Sequence, residues 1–331
     1  MTLRGRSILV LTLSTAWYAA TCAAWSEDVP RTAWGSPDLQ GIWTTATLTP
    51  LERPDHHRGH EQLTAEEANA LETATIQRLA RSDGAEPPAG SVGGYNRVWL
   101  DPGLKVLPNR PTALIVDPPD GRIPWKPEAK AWSDQQRARY GVGPYHGFLD
   151  LDTGERCISD GITMAPLQPY NMNFQILQTP DYLAIVQEMY HEYRIIPLDG
   201  RPHIDERVGQ WLGDGRGRWE GDTLVVETTR FADKSHYYWA WPWRSARPTL
   251  RLVERFTRTD SRTIDYRFTV DDPVMFTRPW TASSPMTTDQ ASRGVTAGAL
   301  YEYACHEGNY ALPNVLRGAR AEAQRAQSGG T

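Results

Sequence analysis

The chain has 331 residues, of which 40% are hydrophobic and 23% charged, with a formal net charge of -5. That length suits one large domain or two small ones, and the composition is that of a folded chain rather than a disordered one. A mildly acidic sequence without a basic stripe gives no reason to expect nucleic acid, or an anionic membrane surface, as partner.

Arg4 and Arg6 precede an apolar run at 7–16 (SILVLTLSTA). The small residues Ala19, Ala20, Ala23 and Ala24 follow, and then the polar Ser26, Glu27 and Asp28. This order of charge, apolar core and small-residue site predicts a signal peptide over 1–24 and a single exported β-rich domain over 25–331. The apolar run is shorter than the roughly 20 residues a spanning helix needs, so stable membrane insertion is not expected. Cys22 raises a lipoprotein alternative, but Ala19 stands where a lipobox prefers Leu. Removal of 1–24 leaves Cys157 and Cys305, and a periplasmic or secreted location predicts that they form one disulfide. In the chain-entropy model such a long loop is worth about 4 kcal/mol. Two free buried thiols are the alternative, and neither cysteine has metal-ligand spacing.

In chain order, the first expected strand is 39–48, which opens on Gly41-Ile42-Trp43. A Gly-x-Trp start is a feature of lipocalin-like barrels. His56, His57 and His60 are close enough to consider as metal ligands. They lie in a polar, proline-flanked loop without a carboxylate in a fixed frame, so a solvated loop is the preferred reading and no metal is assigned. Thr64 to Glu67 is a capping box with Leu63 and Ala68 as a hydrophobic staple, predicting a helix to about Ala80 with Leu71 and Leu79 on its inner face. Strands are expected at 95–100 and 112–116, and a second helix from Pro127 to near Gly141. Asp150, Asp152 and Glu155 resemble the start of a calcium loop but lack its third ligand and distal Glu, which favours an Asp-rich turn. Further strands are expected at 173–178, 182–197, 223–231, 249–257, 263–270 and 299–305. The glycine-rich stretch at 213–217 reads as a loop, because a phosphate cradle would need a helix N-terminus after it. A tail helix starts near Pro313. The fold class is therefore mainly β: an antiparallel meander forming a barrel or strongly curved, lipocalin-like sheet, with two or three peripheral helices. GxSxG, HExxH and P-loop signatures do not occur in the sequence.

Strand parity supplies the candidate site. If 182–197 is one regular strand, Leu183, Ile185, Gln187, Met189, His191, Tyr193 and Ile195 share a face, and Glu188, Tyr190, Glu192 and Arg194 share the other. The first face is mostly apolar and should point inward with His191. Glu254 lies among Leu250, Leu252 and Phe256, and Glu227 beside Val225 and Phe231. Buried ionisable groups need partners, so His191 is expected to meet Glu254 or Glu227. Such a pair can act as general acid or base near neutral pH, or simply fix the strand register. Arg194 and His306 are candidate anion stabilisers, and the disulfide would hold His306 against Glu155, Arg156 and Cys157 as a site rim. Gln187, Tyr193, Tyr238, Trp239 and Trp241 are candidate substrate contacts. The last three belong to an aromatic run at 237–244 that either caps the barrel or walls a pocket.

Five blocks carry a resemblance: PDLQGIW at 37–43, EMYHEYR at 188–194, RWEGDTLVVETTRF at 218–231, DPVMFTRPW at 272–280 and YEYACHEGNY at 301–310. With these blocks the chain resembles a widespread family of exported, uncharacterised bacterial proteins. The resemblance implies export and one continuous β-rich fold, and it assigns no catalytic residue. The aromatic run at 237–244 departs from that pattern, so a ligand is not carried over. Three functions fit: a cofactor-independent acid–base enzyme (lyase, isomerase or hydrolase) acting on an apolar or cyclic small molecule, a lipocalin-like carrier of such a molecule, or a structural envelope protein. A compartment poor in NAD and ATP favours cofactor-free chemistry or plain binding. Oligomeric state is not legible.

Overall fold

A computed structural model describes residues 29–82, 101–139, 142–159, 161, 170–233, 242–244 and 247–328. In chain order the elements are β1 (Gly41–Thr44), α1 (Ala65–Ser82), β2 (Ile115–Asp117), α2 (Pro127–Arg139), β3 (Asn173–Gln178), β4 (Tyr182–Gln187), β5 (Tyr193–Pro197) and β6 (Asp214–Glu220). They continue with β7 (Thr223–Thr229), β8 (Arg251–Arg258), β9 (Thr263–Asp271), β10 (Trp280–Ser283), β11 (Met286–Thr287) and α3 (Ala311–Ser328). All eleven strands join one sheet, in the order β5-β4-β3-β1-β11-β9-β8-β7-β6, with β10 pairing β9 and β2. Each pairing is antiparallel.

Alternation along the strands places the core. In β8, Leu252, Glu254, Phe256 and Arg258 are buried, and opposite them in β9 stand Val270, Phe268, Tyr266 and Ile264. Directly paired residues share a face, so these eight define the inner side. Trp43, Phe174, Ile176, Leu183 and Trp280 join that core, none more than 3% exposed. Among the described residues, large apolar side chains pack as one cluster on this inner side.

The sheet is not closed by hydrogen bonds. Its two edge strands, β5 and β6, nevertheless lie side by side. A Cβ on Gly217 would stand 2.4 Å from Leu198 Cδ2 and 3.2 Å from Ile196 Cγ2. Glycine at this seam lets the two edges approach, which is why the 213–217 stretch, expected as a loop, contributes most of a strand.

Other expectations shift. The segment 182–197 is not one strand: Met189–His191 forms a 3-10 turn between β4 and β5. The strand expected at 39–48 shortens to β1, and 299–305 carries no strand. The expected signal peptide and the strand at 95–100 lie outside the described residues. The capping box of α1 is present, with Thr64 N donating to Glu67 Oε2 at 2.8 Å and Glu67 N to Thr64 Oγ1 at 3.1 Å. Leu63, Ala68 and Leu79 are buried, but Leu71 is exposed; Thr75 takes its place on the inner line. Among the described residues no helix is long and apolar enough to cross a membrane. Cys157 and Cys305 are bonded, with their Cα atoms 5.6 Å apart.

Candidate functional site

The 3-10 turn decides where the candidate residues go. Tyr190 (φ 59°) and His191 (φ 53°) both occupy the left-handed region, which costs a side-chain-bearing residue about 1–2 kcal/mol each. The turn inserts an odd number of residues into the β4–β5 alternation, so parity flips. Arg194 and Ile196 face inward, while Tyr193 is 67% exposed and Ile195 points out. Gln187 stays on the inner face, opposite Phe174. His191 is exposed, and its Nε2 accepts the Tyr303 amide at 2.9 Å. An imidazole accepting at Nε2 keeps its proton at Nδ1, so the basic nitrogen is already used.

The expected pairing of His191 with Glu254 or Glu227 is therefore not made. Glu254 is wholly buried and grips Arg194 with both oxygens, at 2.5 and 2.9 Å, while Tyr266 Oη donates to Oε1 at 2.8 Å. Burial works against the Arg194 charge, and the Glu254 carboxylate more than restores it, raising the guanidinium's proton affinity. With its guanidinium engaged this way, Arg194 is a core ion pair rather than an anion stabiliser. Glu227 sits on the outer face opposite Arg216 and holds Arg251. Its remaining neighbour is His203, at 3.8 Å, whose Nδ1 lies 2.9 Å from Asp214 Oδ2.

A different set of groups gathers along the segment 301–309, which runs as a strap from the β4–β5 turn to Cys157. Tyr301 N donates to Glu188 Oε1 at 2.9 Å, Tyr303 N to His191, and Cys305 is bonded to Cys157. Asn309 Nδ2 donates to Cys157 Sγ at 3.2 Å. The rings of Tyr190 and Tyr303 lie 4.9 Å apart, while Tyr301 and Tyr310 are largely exposed. His306 stands exposed in the turn beyond Cys305.

Two pairs of carboxyl groups flank this strap. Glu188 is 2% exposed and also accepts Asn173 Nδ2 at 2.8 Å. Burial pushes the nearby Asp101 carboxyl up, against the Thr296 amide it accepts, and the Glu188 charge adds to the rise. On the disulfide side, Asp152 and Glu155 cap each other: Glu155 N donates to Asp152 Oδ1 at 2.7 Å and Asp152 N to Glu155 Oε2 at 3.2 Å. Burial first, and the Asp152 charge second, raise the Glu155 carboxyl to about 7, against the Asp152 amide and the Arg156 guanidinium. Asp150 does not join them; it accepts the His146 and Gly147 amides and Arg139, so this stretch is a capped turn and not a cation loop.

Sequence reasoning placed Glu155 only in a polar site rim, read Asp152 as part of an Asp-rich turn, and passed over Glu188 and Asp101 as site members. A signal was present for the first two, since Asp-x-x-Glu is the reciprocal-cap spacing. The pairing of distant carboxyls had none. Tyr238, Trp239 and Trp241 lie outside the described residues, whereas Trp243 of the same run is core, stacked on Phe268. No family model, curated protein or solved structure matches the chain.

Proposed function

We propose that the protein is an exported, cofactor-independent acid–base enzyme, acting on an apolar or cyclic small molecule held at the strap. The observation that carries the reading is the Asp152–Glu155 pair. Two neighbouring carboxyls, each accepting the other residue's backbone amide and one desolvated enough to keep its proton to about pH 7, form an arrangement that can separate an acid from a base at neutral pH. Glu155 is the proton carrier, and Asp152 positions it. Tyr301, Tyr303 and Tyr310 offer aromatic faces to a ring-shaped substrate. His191, protonated at Nδ1, serves as a donor rather than the base. Export agrees with the disulfide, which persists in oxidising compartments. A lyase, isomerase or hydrolase step is compatible with this chemistry.

The filled interior moves the carrier alternative to the same place, because the sheet's inner face is occupied by its own side chains. The test is turnover by the oxidised protein of a panel of small cyclic and aromatic esters, lactones and enolisable ketones, followed by mass spectrometry. Glu155→Gln should lower the rate by about 10²–10⁴-fold while a substrate-induced melting shift persists. Equal turnover by wild type and Glu155→Gln would remove Glu155 from the mechanism. Binding without turnover in the wild type would establish the carrier.

A further inference from the structure

Arg293 closes the 3-10 turn Gln290–Arg293 and is 5% exposed. Its Nη2 donates to the Pro285 carbonyl at 3.3 Å, whereas Nη1 is buried and makes no hydrogen bond. Three other interior arginines are better served. Arg53 donates to Thr112 Oγ1 and the Pro119 carbonyl, both at 3.0 Å. Arg258 reaches the carbonyls of Asp38, Asp260 and Ser261, and Arg194 has Glu254. No carboxylate among the described residues pairs with Arg293. A buried cation without a counter-charge is strongly unfavourable.

Two buried hydroxyls in the same neighbourhood, Ser284 Oγ and Thr45 Oγ1, also lack partners. Ser284 directly precedes the Pro285 that takes Nη2. Thr45 directly precedes Ala46, which meets the Arg293 backbone at Gly103: a Cβ there would stand 3.1 Å from Ala46 Cβ and 3.2 Å from Arg293 O. The backbone beside Arg293 is close-packed: a Cβ on the adjacent Gly294 would come within 2.7 Å of Leu104 Cβ. One guanidinium N–H and two hydroxyls on adjoining segments are thus donors without acceptors, and the guanidinium charge is uncompensated.

We propose that Arg293 holds a small monovalent anion of the halide class, chloride in an exported setting, with the Ser284 and Thr45 hydroxyls as its further donors. One negative charge balances one guanidinium, and a monatomic ion asks for less room beside the close-packed backbone of Gly103 and Gly294 than a phosphate or carboxylate does. Burial pushes the Arg293 guanidinium down to about 10, the direction expected of a cation with no partner beside it. The ion also braces a working element. Side chains three apart on a 3-10 turn eclipse, so Gln290 shares the face of Arg293. Gln290 Nε2 in turn donates to Asn173 Oδ1 at 3.2 Å, and Asn173 holds Glu188. The anion site stands independently of the acid–base reading.

The oxidised protein, dialysed into sodium gluconate, is melted in sodium chloride or gluconate at equal ionic strength. Chloride should raise the midpoint saturably, by about 5 °C for a ligand well above its dissociation constant. Arg293→Met should melt identically in both salts. Crystals of the wild type grown in bromide should show an anomalous peak within hydrogen-bond reach of Arg293 Nη1, which keeps the proposal testable if Arg293→Met does not fold. Equal midpoints in the two salts for the wild type, or bromide peaks at the surface alone, would overturn it.

Discussion

Arg194 of β5 and Glu254 of β8 form a two-pronged ion pair inside the curled sheet, with Glu254 wholly buried and Arg194 only 14% exposed at its side chain. Tyr266 supplies the third contact, at 2.8 Å. Removing one partner strands the other's charge in the core. Glu254→Ala should cost about 3–5 kcal/mol in urea unfolding. Arg194→Met with Glu254→Leu should recover most of that loss. A cost below about 1 kcal/mol for the single variant would mean that water reaches the pair.

Stability should fall as pH rises from about 4.5 to about 7 through Glu155. Its carboxyl is raised from 4.5 to about 7 in the folded protein, so in that window the native state binds the proton more tightly than the unfolded chain. The contribution is complete below 4.5 and lost above about 7. Because the group is partly solvated, its size is about 1–2 kcal/mol. Melting curves across this range for wild type and Glu155→Gln isolate the effect from Asp101, which shifts in the same direction. Parallel curves for the two proteins would contradict it.

The seam between β5 and β6 depends on the missing side chain at position 217. Gly217→Val places methyl groups where Leu198 Cδ2 and Ile196 Cγ2 now sit. Overpacking of this kind costs about 1–3 kcal/mol. Amide exchange should accelerate in β5 and β6 before β8 and β9. Uniform acceleration across the sheet would show that the seam is not a separable unit.

Cys157→Ser with Cys305→Ser removes a link between residues 148 apart in sequence, for a loss of about 3–5 kcal/mol. The strap then keeps its hydrogen bonds to Glu188 and His191 and the ring contact of Tyr303 with Tyr190. Carboxyl NMR should show Glu155 returning toward its ordinary range as solvent enters. An unchanged Glu155 titration would mean that burial by 152–157 alone sets its value.

How much of this was legible in the sequence differs by element. β3, matched residue for residue, and β7 to β9 were readable from their apolar and β-branched runs, which alternate cleanly in β8 and β9 and are bounded by polar turns. β6 was hidden by its glycines, whose reason lies across the seam in Ile196 and Leu198. The break in 182–197 has no local mark, since Met189-Tyr190-His191 contains neither Gly nor Asn. It forms because Glu188 is captured by Asn173 and Tyr301, contacts that span 15 and 113 positions. One inserted turn then exchanged the roles of His191 and Arg194. The disulfide was foreseeable from cysteine count. The Asp152–Glu155 cap had a local signal in its spacing, but its burial did not, and the pairing of Glu188 with Asp101 had none.

The covalent ring closed by Cys157 and Cys305 contains every strand from β3 to β11, yet its first and last strands do not touch through hydrogen bonds. β1 lies between them, pairing with β3 at Gly41 to Thr44 and with β11 at Thr44, and it comes from outside the ring. The oxidised ring is thus a sheet with a slot, and the N-terminal segment is its inserted strand. That makes β1 separable in principle from the rest: a peptide spanning 37–48, supplied in trans, has the geometry to complete a chain that lacks its own. In synthesis order the strand made first is the one that must wait for partners made well over a hundred residues later.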